Sequence, residues 1–94
     1  MNEAEIYNKL EKIRAELNPA SFEAESSITK VVINNEVFEQ RIWLESYENS
    51  KLFVFLLEME KPLQAKTYCL GLQVGSDGKT KYLSNEQLWD MGIP

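Results

Sequence analysis

Ile28-Thr29-Lys30-Val31-Val32-Ile33-Asn34-Asn35-Glu36-Val37-Phe38-Glu39 is the stretch that decides the fold: a β-branched run, two asparagines, then a run in which apolar and charged residues mix. Asparagine tolerates positive φ better than most residues, so Asn34-Asn35 suits the centre of a tight hairpin turn. That turn sets a register. Val32 then faces Val37, Val31 faces Phe38, and Lys30 faces Glu39, where opposite charges meet across the strands.

Working outward, the second strand runs over residues 37–45 to a polar turn at Tyr47-Glu48-Asn49-Ser50, and a third strand follows over residues 52–60. Closing that turn with Ser46 opposite Lys51 sets Leu44 against Phe53, Ile42 against Phe55 and Phe38 against Met59, which makes one face continuously apolar. The third strand also carries Leu52, Val54 and Leu56 on its other face, the pattern of a central strand or of a second covered surface. Pro62 interrupts it, so residues 61–65 read as a connection to a fourth strand over 67–74, in which Tyr68, Leu70, Leu72 and Val74 alternate. Asp77-Gly78 signals a two-residue hairpin that pairs Leu72 with Leu83 and Gln73 with Tyr82, adding a short fifth strand.

Helices bracket the strands. Asn2 followed by Glu5 has the form of a capping box, and Ile6, Leu10, Ile13 and Leu17 then mark one apolar stripe that Asn18-Pro19 ends. Residues 20–25 form a connection without a clear pattern. A second capping box, Ser84-Asn85-Glu86-Gln87, opens a short helix through Leu88, Trp89 and Met91 that Gly92 is suited to stop. The expected architecture is α+β: an N-terminal helix packed on one face of a four- or five-stranded antiparallel meander, closed by a short C-terminal helix, in a single domain spanning residues 1–94.

Ninety-four residues hold one hydrophobic core and hardly two, and 44% apolar with 27% charged residues is the balance of a chain that folds. The acidic start and the lack of an apolar run near the ~18 residues of a membrane span point to a cytoplasmic protein with no membrane partner. One cysteine and no histidine rule out an intramolecular disulfide and zinc sites of the usual Cys/His kind within one chain. Fifteen acids against ten bases, with no basic cluster, give no footprint for direct nucleic-acid binding. The acidic excess lies mostly in residues 1–47, where nine acids meet five bases. Such a surface steers basic partners, and mild negative charge also keeps a protein soluble.

No catalytic constellation emerges, and neither an enzyme nor a cofactor is expected. Cys69, mid-strand and without a histidine to lower its pKa, reads as a packed small residue. Glu39, Glu58 and Glu60 gather on one side of the sheet, but Lys30 opposite Glu39 partly neutralises them, and exposed strand-end glutamates are common. Gly75-Ser76-Asp77-Gly78-Lys79-Thr80 ends like a phosphate loop, yet Gln73 stands where the first glycine is needed and no helix follows. An EF-hand fails there for want of alternating acidic ligands.

The face opposite the first helix is more informative. It gathers Ile28, Val32, Val37, Trp43, Leu52, Val54, Leu56 and Tyr82, more apolar surface than soluble monomers leave open. Three covers are available to it: the segment with Trp89, Met91 and Ile93, a second copy of the chain, or another protein. Trp43, Arg41, Val54, Leu56 and Tyr82 are the candidate protein-binding residues, since tryptophan, tyrosine and arginine are the residue types that dominate interface centres. The helix-on-sheet arrangement resembles cystatin-like and small immunity-protein architectures, a likeness of fold that hosts unrelated functions. The expectation is a small acidic protein-interaction module, an inhibitor or immunity-type protein for a basic partner, or a homodimer. The alternative is a small-molecule-binding or catalytic domain using carboxylates and tyrosines.

Overall fold

Both asparagines of the first turn adopt the left-handed backbone, Asn34 at φ 48° and Asn35 at φ 64°. This is the conformation a two-residue hairpin needs to match the twist of its strands. The computed structural model describes residues 3–22, 26–59 and 66–93. Its elements are helix α1 (Glu3–Glu16), a 3-10 turn at Pro19–Ser21, strands β1 (Ser26–Ile33), β2 (Glu36–Tyr47), β3 (Ser50–Met59), β4 (Thr67–Val74) and β5 (Thr80–Leu83), and helix α2 (Asn85–Asp90). The strands form one antiparallel sheet in the order β1-β2-β3-β4-β5. The expected α+β architecture is therefore the observed one. The Asn2 cap and the 61–65 connection lie outside the described residues.

The registers of the first two hairpins are those the turn chemistry dictates. Val32 pairs with Val37 and Lys30 with Glu39, while Ile42 pairs with Phe55 and Leu44 with Phe53. Glu48 at φ 44° and Asn49 at φ 64° close the second turn in the same left-handed form.

The third hairpin departs from expectation. Leu72 pairs with Tyr82 and Gln73 with Lys81, one residue away from the register that a two-residue Asp77-Gly78 loop would give. The loop is a three-residue one: Gly78 N donates to Gly75 O at 3.0 Å, Gly75 N to Lys79 O at 2.9 Å, and Gly78 sits at φ 82°. A type I turn followed by a left-handed glycine adds one residue, and a one-residue slip turns every side chain to the opposite face. Tyr82 consequently lies on the α1 side and Leu83 on the other.

Against the expectation of one core, each side of the sheet carries its own. Ile6 and Leu10 of α1 pack on Phe38, Ile42, Phe53, Phe55, Leu57, Tyr68, Leu70 and Leu72, with Ile13 and Leu17 at the margin. Edge-to-face contacts tighten this layer, Tyr7 on Tyr68 at 5.6 Å and Phe22 on Phe53 at 5.5 Å between ring centroids. On the opposite side Leu52, Val54, Leu56, Cys69 and Leu83 pack beneath Leu88 of α2 and Ile93. β3, buried on both faces, is the central strand.

Candidate functional site

The second face divides into a covered half and a bare half. Over β3 and β4, Leu88 is fully buried, and the seat for it is Gly71: a Cβ there would stand 2.9 Å from Leu88 Cδ2 and 3.2 Å from Leu83 Cβ. Of the aromatic and apolar residues expected to make the cover, Met91 and Ile93 do so, whereas Trp89 points outward at 66% exposure. Leu88 takes the anchoring place because it stands one residue earlier on the helix, a rotation of about 100°.

Over β1 and β2 the same face is open. Ile28 is 59% exposed, Val32 67% and Val37 44%. Val32 and Val37 are direct cross-strand partners, and Ile28 lies opposite Arg41 on β2. The patch borders the outer edge of β1, whose eight residues pair with β2 and make the outermost strand among the described residues. An outermost strand presents backbone N–H and C=O groups to any extended chain that approaches.

The five residues singled out from the sequence part company here. Arg41 is exposed at the border of the bare patch, its Nε donating to Glu39 Oε1 at 2.6 Å. Trp43 is half-buried against the α2-side core, and its Nε1 donates to Glu45 Oε1 at 2.9 Å. Val54 and Leu56 are buried under the cover. Tyr82 is on the α1 side, where the Arg14 guanidinium lies 4.2 Å from its ring centroid. Tyr82 is nonetheless exposed there, and the apolar residues left open on the sheet's second face, Ile28, Val32 and Val37, carried their signal in the first hairpin's register.

Glu39 and Glu58 do not converge with Tyr68 or Tyr82. Glu39 faces Glu58 on the second face, whereas Tyr68 is buried and Tyr82 stacked on the α1 side. Glu60 lies outside the described residues. A separate open cleft of about 630 Å³ lies between α1 and the start of α2, with Glu3, Tyr7 and Glu11 along one wall and Ser84 to Glu86 along the other. Burial, then the nearby Glu3 carboxylate, pushes the Tyr7 hydroxyl's pKa up. Burial likewise pushes the Cys69 thiol up to about 11, which keeps it a protonated packing group at neutral pH. Among the described residues no three metal-ligating side chains cluster, and no helix is long and apolar enough to cross a membrane. No protein-family model, curated protein or solved structure matches the chain.

Proposed function

We propose that this chain is a small acidic protein-interaction module that docks on the bare β1–β2 half of its second face and occludes a basic partner, in the manner of an inhibitor or immunity-type protein. The observation that carries the reading is the exposure of Ile28 and of the cross-strand pair Val32 and Val37 on one sheet face, with Lys30, Glu39 and Arg41 between them, along the strand that is outermost among the described residues. Three apolar side chains held rigidly by a ladder lose little entropy on binding, and Arg41 at their border supplies the planar donor favoured in interface centres. A net charge of −5 adds long-range attraction toward a basic surface.

The test is capture from the native cell with the wild-type chain and with an Ile28→Glu/Val32→Glu double variant. A stoichiometric protein partner held by the wild type and lost by the folded variant supports the reading, as does slower association when ionic strength rises toward 0.1 M or above, where exposed charges are screened beyond about 10 Å. Equal capture by both chains refutes the face. Salt-independent association refutes the basic partner.

A further inference from the structure

The helix over the second face is closed on itself. At its start the Ser84 hydroxyl accepts from Gln87 N at 3.2 Å while Gln87 Oε1 accepts from Ser84 N at 2.8 Å. At its end Gly92, at φ 77°, donates to Trp89 O at 3.0 Å, and Ile93 N donates to Leu88 O at 2.9 Å. These two bonds make the paired exit of a Schellman motif, with Leu88 and Ile93 buried in the same cluster as its customary apolar contact. The hydrogen bonds described for residues 84–93 thus stay within those residues. Among the described residues, what attaches them to the sheet is the apolar packing of Leu88, Met91 and Ile93.

The other side of the sheet is tied differently. Arg14 of α1 donates through one guanidinium nitrogen to Gly71 O at 3.3 Å and to Leu83 O at 3.2 Å, and stacks on Tyr82. These contacts tie β4 and β5 to α1 on the side of the sheet away from α2. Helix α2 has six residues, far below the length at which an isolated helix persists, so its folding depends on the seat beneath Leu88.

We propose that residues 84–93 are a detachable cover: they leave the sheet in a local step while the α1-side core stays folded, and their departure extends the bare face from Ile28, Val32 and Val37 across Trp43 to Val54 and Leu56. Val54 is the ladder partner of Trp43, and Leu56 of Arg41, so the uncovered surface is continuous with the open patch. The closed cover is then autoinhibitory, because it withholds the central part of that face. This functional consequence rests on the interaction reading above. The opening itself does not, and it is measured without any partner.

Cys69 is the chain's one cysteine, 1% exposed beneath the cover, and serves as the reporter. The experiment is native-state labelling of the full chain with dithionitrobenzoate at rising sub-denaturing urea, alongside amide exchange of β3. The account expects Cys69 to label through an opening whose urea dependence is well below that of global unfolding, while β3 amides report only the global step. Gly92→Ala, which forces a side chain into the left-handed region, should speed labelling roughly tenfold. Ile6→Val, in the α1 core that stays folded, should leave the labelling rate unchanged while lowering global stability. Labelling with the full urea dependence of global unfolding overturns the proposal. So does acceleration by Ile6→Val in step with its effect on global unfolding, or no acceleration by Gly92→Ala.

Discussion

Arg14 lies over Tyr82 with its guanidinium carbon 4.2 Å from the ring centroid, so a residue near the end of α1 caps the shortest strand of the sheet. The same guanidinium donates to the carbonyls of Gly71 and Leu83. Arg14→Ala removes the stack and both charge-assisted bonds and should cost about 1–3 kcal/mol, and Tyr82→Ala about 1 kcal/mol. A double-mutant cycle from urea melts should show a coupling of about 0.5–1 kcal/mol. Strict additivity would mean the stack contributes nothing.

Gly71 is required by packing rather than by backbone conformation. Gly71→Ala would bring a methyl group to 2.9 Å from Leu88 Cδ2, and the cost of shifting Leu88 should exceed the gain from a less flexible unfolded chain. The expected destabilisation is about 1–3 kcal/mol in chemical denaturation. A neutral or stabilising result would place Leu88 elsewhere.

The second hairpin turn holds a glutamate where asparagine is at home. Glu48 sits at φ 44°, a region that costs side chains other than glycine, asparagine and aspartate. Glu48→Asn should raise the urea midpoint, by roughly 0.5–1 kcal/mol of stability. A lower midpoint would contradict the turn geometry.

Burial of Cys69 makes a prediction about alkaline pH. Its thiol is held near pKa 11 in the fold and titrates near 8.5 in an unfolded chain. Below about pH 8.5 both states are protonated and the stabilisation is whole. As pH rises from there through the folded value the unfolded state releases its proton first, so stability falls by up to about 1.4 kcal/mol per unit. The pH dependence of wild type minus that of Cys69→Ala isolates this effect from tyrosines and lysines. A flat difference between pH 8 and 11 would mean that the thiol is already open to water.

Much of the fold was legible because two-residue turns leave no freedom. Asn34-Asn35 and Glu48-Asn49 each fix a register, and with it the faces of Phe38, Ile42, Phe53 and Phe55. The third hairpin was not legible, since Asp77-Gly78 serves either a two-residue loop or the end of a three-residue one. In the three-residue form Asp77 Oδ1 accepts from Lys79 N, and Leu83 rather than Tyr82 faces the second core. That single residue moved Tyr82 out of the candidate surface. Val54 and Leu56 left it for another reason: apolarity on both faces of β3 announces two covers without saying how far the second reaches.

The central claim is that the bare β1–β2 face is where this protein meets its partner, and photo-crosslinking in the native cell tests it most directly. A benzoylphenylalanine at Val32 would stand in the open patch, and one at Thr80 would stand on exposed β5 at the far edge of the same sheet. The account predicts one discrete, basic protein adduct from position 32 and none from position 80. No adduct at position 32, or the same adduct from both positions, would contradict it.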